Sequence, residues 1–322
     1  MTFIIPQENR SIIAKWDGSL EIAGKVDIPY NSKSVITDNG LIVAICLGKK
    51  PKNFRLKIFD PDGKQLVRYT EHKFTCIAAK GNVVYLGGQY KKGERELFSV
   101  MDLTNADFTS PDFATDGIVA IKLLLDEPRR GKSIDDILMR DNSLILVDNI
   151  VIPKYLFAYD ITEKAKPKHS ATKKLPNNGT YEHIYKGDIN EDILVLFSGS
   201  VGRRGVFRHI SVMKDRDIAA AIDAADPYRR QRKRDATLTL KVYDHETEEE
   251  DDTKHIIDIA LLGNCLAVLA SSRLCCFDLD KPLTEENLET LQENEDGWER
   301  LIKLDSSHCL LVKGAGYEVK EI

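Results

Sequence analysis

The sequence predicts an all-β chain in which one small antiparallel sheet is repeated six or seven times. Three observations carry this expectation. A turn rich in Asn, Asp and Gly recurs directly before a short apolar run. In five of the units a later run closes on an aromatic residue or Met followed by Asp. The turn signals return about every 40 to 75 residues, with only short strands between them, which suits one four-stranded sheet per period.

The turn and apolar half appears as Asp38-Asn39-Gly40-Leu41-Ile42-Val43, Gly81-Asn82-Val83-Val84-Tyr85-Leu86 and Asp141-Asn142-Ser143-Leu144-Ile145-Leu146. It returns as Asn190-Glu191-Asp192-Ile193-Leu194-Val195, Gly263-Asn264-Cys265-Leu266-Ala267-Val268 and Ser306-Ser307-His308-Cys309-Leu310-Leu311. Asn9-Arg10-Ser11-Ile12-Ile13-Ala14 reads as a first copy. Asn and Asp are placed here because they tolerate tight-turn backbone conformations. The run that follows is apolar almost without interruption, as expected of a strand buried on both faces. Runs of five or six apolar residues are too short for the helices of a helical repeat. The closing strands end in Phe59-Asp60, Met101-Asp102, Tyr159-Asp160, Tyr243-Asp244 and Phe277-Asp278.

This repeat resembles the β-propeller superfamily over the whole chain, 1–322, as a single domain. No particular propeller family follows. Trp16-Asp17 is the only Trp-Asp pair, and Gly87-Gly88 is a lone glycine pair where one per blade is needed. The last unit, from Trp298, offers three strands, so the N-terminal segment Thr2–Ile5 is expected to supply its fourth. Two segments interrupt the pattern. Residues 198–235 form a basic arm inserted within one blade, with a short helix expected over Asp215–Ala225 and a stop at Asp226-Pro227. Leu283–Glu295 is also expected to be helical, capped by Thr284 with Glu285 and Glu286 in its first turn and Leu288 and Leu291 on its packed side.

Composition narrows the function classes. The chain has 322 residues, 42% hydrophobic and 30% charged, with a net charge of −5. Nothing global draws it to nucleic acid or an anionic membrane, so any such attraction must be local. The first residues lack the basic start and long apolar core of a signal peptide, and no run approaches a membrane span. A cytoplasmic protein with no membrane partner is expected. The six cysteines all sit in apolar, strand-like runs without a CxxC spacing, and adjacent Cys275 and Cys276 should face opposite ways in a strand. Six buried, reduced thiols are expected, in keeping with a reducing compartment.

Catalytic motifs do not assemble. Pro128-Arg129-Arg130-Gly131-Lys132-Ser133 ends like a phosphate-binding loop, but Asp126 stands where its first Gly is required. Ser198-Gly199-Ser200-Val201-Gly202 lacks the first Gly of a nucleophile elbow. The seven histidines show no metal-ligand spacing, and His183 and His209 read as ordinary surface or core residues. No cofactor and no metal ligand are expected.

One signal survives, in the loops joining second to third strands, which in a propeller open on one face. Gly48–Arg55 carries Lys49, Lys50, Lys52 and Arg55 without an acid. Gly88–Arg95 carries Lys91, Lys92 and Arg95 against Glu94. The arm, taken as another such loop, carries Arg203, Arg204, Arg208, Lys214, Arg216, Arg229, Arg230, Arg232, Lys233 and Arg234 against five aspartates. Arg129, Arg130 and Lys132 are expected on the same side. The reading is a non-enzymatic scaffold whose basic face meets an acidic protein in a multi-subunit assembly. Two alternatives stay open. One is nucleic-acid or phosphorylated-ligand binding on the same face, with Phe54 and Tyr90 to stack on bases. The other is a metal-dependent hydrolase using the central channel.

Overall fold

The computed structural model describes residues 1–8, 10–46, 55–69, 74–88, 98–108, 119–121, 134–148, 155–174, 183–191, 193–214 and 236–322. Helix within them is limited to two 3-10 turns, Asp252–Lys254 and Glu285–Asn287. No helix among the described residues is long and apolar enough to cross a membrane. The chain divides into two compact units, Met1–Val151 with Tyr155–Thr172, and Ile152–Lys154 with Lys173–Ile322.

The first unit holds four antiparallel sheets. They are β1 (Thr2–Ile5), β2 (Ser11–Trp16) and β3 (Leu20–Val26), then β4 (Lys33–Ile36), β5 (Ile42–Cys46), β6 (Arg55–Phe59) and β7 (Gln65–Tyr69). Next come β8 (Phe74–Lys80), β9 (Val83–Gly88), β10 (Phe98–Asp102) and β11 (Val119–Ile121), then β12 (Ile134–Arg140), β13 (Ser143–Asp148), β14 (Tyr155–Asp160) and β15 (Lys168–Lys174). In the second unit, β16 (His183–Ile189), β17 (Ile193–Gly202), β18 (Gly205–Lys214) and β19 (Ala236–Asp244) form one sheet. Two more are β20 (Ile256–Leu262), β21 (Cys265–Ala270), β22 (Arg273–Asp278) and β23 (Leu288–Glu293), and β24 (Arg300–Lys303), β25 (His308–Lys313) and β26 (Gly316–Glu321).

The apolar second strands are buried because they serve two cores at once. In β5, Ile42, Ala44 and Cys46 pack toward β1–β3, while Val43 and Ile45 pack with Val84 and Leu86 of β9. In β21, Leu266 and Val268 join the core with β17, and Ala267 and Leu269 join the one with β25. Alternation with period two delivers side chains to both neighbours. Each fully buried Ile, Leu or Phe contributes about 1.5–3 kcal/mol.

The two sequence motifs meet in space. After three of the five closing Asp residues the next residue donates its backbone N–H to the carbonyl of a turn Asn: Leu103 to Asn82 at 2.9 Å, Ile161 to Asn142 at 2.8 Å and Leu279 to Asn264 at 3.0 Å. The Asp side chain meanwhile accepts from the backbone two residues on, as Asp102 does from Thr104 at 2.9 Å and Asp160 from Thr162 at 2.8 Å. The turns also fasten sheet to sheet: Asp38 N donates to Gly81 O at 3.1 Å, and Asn190 Nδ2 to Gly263 O at 2.7 Å. Asp141 holds φ 43 where the other turns place Gly81 (φ 62) and Gly263 (φ 54), a region that Asp tolerates better than most residues.

First strands carry a second, unforeseen device. Register shifts recur at Phe74/Cys76, Ile134/Asp136, Ile184/Lys186 and Ile256/Asp258. In three of these strands an Asp-Ile pair follows, and Asp136, Asp188 and Asp258 each accept from the N–H of their own Ile. Asp188 Oδ2 also accepts from Leu261 N of the next sheet, and Asp258 Oδ2 from Leu301 N, both at 2.8 Å. Lys186 Nζ completes the clasp, donating to Asp258 Oδ1 at 2.8 Å, Ile259 O at 2.7 Å and Leu301 O at 3.4 Å.

Three expectations are corrected. Thr2–Ile5 does not join the last sheet; it pairs with β2 from Thr2↔Lys15 to Ile5↔Ile12. Leu283–Glu295 is not an α-helix, because after the 3-10 turn Leu288–Glu293 pairs along β22 as an edge strand. Pairing with β22 satisfies its backbone better than one weakly amphipathic turn. The cysteines are not all free: Cys265 and Cys276 form a disulfide with Cα atoms 6.4 Å apart. Ala267 faces Cys276, so the pair is diagonal across β21 and β22, on the face opposite core residue Cys275. Cys46, Cys76, Cys275 and Cys309 are buried thiols outside any disulfide, and burial pushes the Cys309 thiol up to about 12.

Candidate functional site

Of the residues expected to form a basic face, Lys49, Lys50, Lys52, Lys91, Lys92, Arg129, Arg130, Arg229, Arg230, Arg232, Lys233 and Arg234 lie outside the described residues, as do Phe54, Tyr90 and the helix expected at 215–225. The strand ends that flank them are informative. Gly87, Phe98 and Ile121 are register partners, so the connections 89–97 and 122–133 leave one end of their sheet. Arg55 opens β6 opposite Cys46 and is partly exposed.

The arm is not one loop. β17 and β18 run ten residues each, and the hairpin closes on Arg203 and Arg204 alone. Lys214, the last residue of β18, pairs with Ile193 at the opposite end of the sheet from Arg203 and Arg204. The strands continue past Ser198, where the arm is expected to begin. Arg203 and Arg204 are exposed, but the acidic run lies beside them: Arg204 O accepts from His245 N at 3.3 Å, and Glu246, Glu248, Glu249 and Glu250 are exposed. Among the described residues this end is mixed in charge.

A compact group forms where the sheets β16–β19 and β20–β23 face each other. Tyr185 occupies the register shift of β16 and is 45% exposed; bulges commonly re-aim a side chain. His183 meets the Tyr185 ring edge-on at 5.1 Å. The Arg208 guanidinium of β18 lies 5.3 Å over the same ring, a cation–π contact. Gly199 makes the arrangement possible, since a methyl group there would stand 2.7 Å from Tyr185 Cε2 and 2.9 Å from Arg208 Nη1. On its other side Arg208 Nη2 lies 3.2 Å from His255 Nε2.

His255, Glu250 and Asp252 each bring a ligand atom within 4.8 Å of the others. Arg208 opposes a cation there. The guanidinium stays protonated and so sets a fixed positive charge against the imidazole. No local motif announces Tyr185, Arg208 and His255 together, because they come from three strands or turns and meet only across paired sheets.

The near-miss elbow lies on β17, where Ser200 Oγ is 2.8 Å from His209 Nε2 and His209 Nδ1 is 3.0 Å from Thr239 Oγ1. Ser200 and His209 are both buried, and His209 is, as read from sequence, a satisfied core residue.

No family model matches the chain, and no curated protein matches it. Solved structures do. The N-terminal domain of Nup159 is similar over 99% of this chain and 85% of its own, at 9% identity and a TM-score of 0.51. An S. cerevisiae structure of Dbp5 bound to Nup159, Gle1, IP6 and ADP matches over 99% and 85%, at 8% identity and 0.52. The periplasmic gluconolactonase PpgL of Pseudomonas aeruginosa matches over 96% and 80%, at 10% identity and 0.52. These likenesses concern the fold: an all-β chain of repeated antiparallel sheets, the chain has the β-propeller fold.

Proposed function

We propose that the chain is one seven-bladed propeller domain acting as a non-enzymatic binding module, which engages an acidic protein surface within a multi-subunit assembly. The observation that carries this reading is the long hairpin β17–β18, which presents Arg203 and Arg204, both exposed, at a two-residue tip. Strands of ten residues hold those guanidinium groups on rigid backbone, and such forks suit paired carboxylates. Fold neighbours alone do not decide, since Nup159 appears in a protein complex and PpgL is named an enzyme.

The test is affinity capture with the native chain, an Arg203→Ser/Arg204→Ser variant, and one with Arg229, Arg230, Arg232, Lys233 and Arg234 replaced by Ser. Partner retention is expected to fall in one or both variants with the melting temperature nearly unchanged, since exposed charges contribute little to folding. Full retention with a lowered melt would overturn the reading. Retention of RNA that falls steeply with salt would replace it by nucleic-acid binding.

A further inference from the structure

We infer that Arg208 is the grip for a carboxylate of an acidic protein segment, held ready between Tyr185 and His255; this rests on the binding-module reading and names its central contact. Arg208 is partly buried, yet it has no ion-pair partner among the described residues. Its Nε is buried and has no hydrogen-bond partner. Nη1 reaches Phe207 O only at 3.5 Å, and Nη2 meets the His255 imidazole at 3.2 Å. A guanidinium offers five donors, and removing its charge from water without a counter-charge is costly. The stack on Tyr185 and the space left by Gly199 fix its plane without neutralising it.

The surroundings select the ligand. Glu250 and Asp252 lie beside His255 and would repel a dianionic phosphate more than a single carboxylate. Exposed apolar side chains accompany the site: Tyr185, Val201 at 51% on the same strand face as Gly199, and Ile257 at 37% beside His255. An arginine and a tyrosine among apolar contacts is the composition that dominates protein interfaces. A protein segment with an acidic residue meets all of these features together.

Fluorescence anisotropy tests the assignment with a labelled peptide carrying one Glu among Leu, Tyr and Ser, its Gln counterpart and a ten-nucleotide oligouridine. The native chain is expected to prefer the acidic peptide. Arg208→Gln should weaken it about tenfold, and Arg208→Lys by less, because lysine keeps the charge but not the fork. Melting temperatures measured in parallel should stay within a degree or two of native. Equal peptide affinity in native and Arg208→Gln protein would overturn the assignment, as would dependence on Arg208 for oligouridine alone. If Arg203→Ser/Arg204→Ser weakens the peptide while Arg208→Gln does not, the assignment falls and the binding module stands. If neither variant matters and the native chain does not distinguish the peptides, both fall.

Discussion

Lys186 and Arg208 are two cations in the same sheet, and they are treated in opposite ways. Lys186 on β16 is saturated, with a carboxylate and two carbonyls around its ammonium group. Arg208 on β18 has one imidazole contact and a buried Nε with no partner. The first pattern is that of a structural clasp, in which each polar group removed from water is repaid inside the protein. The second leaves binding capacity unused. The contrast separates what holds these sheets together from what they can offer to a partner.

The largest expected effect tests the clasp. Asp258→Ala removes the acceptor for Ile259 N, Leu301 N and Lys186 Nζ at once. With the side chains of Lys186 and Asp258 only 32% and 15% exposed, about 2–4 kcal/mol of stability should be lost in chemical denaturation. Arg208→Gln should cost under about 0.5 kcal/mol in the same assay. Comparable losses from the two variants would erase the distinction.

A second test uses tyrosines sealed in the core rather than lining a groove. Burial pushes Tyr85 and Tyr159 up to about 12, with Asp102 adding to the shift for Tyr85. The folded state therefore keeps their protons after the unfolded chain has released them near pH 10. Stability from these groups is complete below pH 10 and is lost as pH rises toward 12. Unfolding free energies measured across that range should fall, and Tyr159→Phe should flatten the slope.

A smaller effect than the loss of the clasp concerns the same residue at neutral pH. The Tyr159 hydroxyl is buried without a hydrogen-bond partner, an orphan like Arg208 Nε, but inside the core packed by Phe98 and Phe157. Tyr159→Phe should therefore raise stability by up to about 1 kcal/mol in denaturant titration. A loss would mean that the hydroxyl is satisfied after all, and would weaken the weight placed on orphaned polar atoms here.

The repeat was legible because its chemistry is local. Asp102 and Asp160 reveal turns through side chains that bond the backbone two residues on, and the large apolar or aromatic residue before the Asp marks a buried strand end. The Asp-Ile pairs at 136, 188 and 258 were equally visible but unreadable, since Asp188 bonds Leu261 seventy-three positions away. The hairpin tip was misplaced because Ser198-Gly199-Ser200 is polar enough to pass for a loop, although Ser198 and Ser200 are buried in β17. Leu288 and Leu291 mimic a helix face because edge strands carry few apolar residues; Leu291 is 38% exposed. Arg208 appeared only as one more positive charge, since Tyr185 and His255 flank it from other strands and turns.

The clasp has one further consequence, for how the protein can change. In its two carboxylate-to-amide links the acceptors are the Asp188 and Asp258 side chains, while the donors are the backbone amides of Leu261 and Leu301. A backbone amide is the same in every residue but proline. The receiving sheet can therefore exchange its side chains freely without loosening the joint, and the giving sheet must keep one carboxylate. Neighbouring sheets built on this rule are free to drift apart in sequence while remaining mechanically compatible, which leaves their outer loops and hairpin tips open to specialise one at a time.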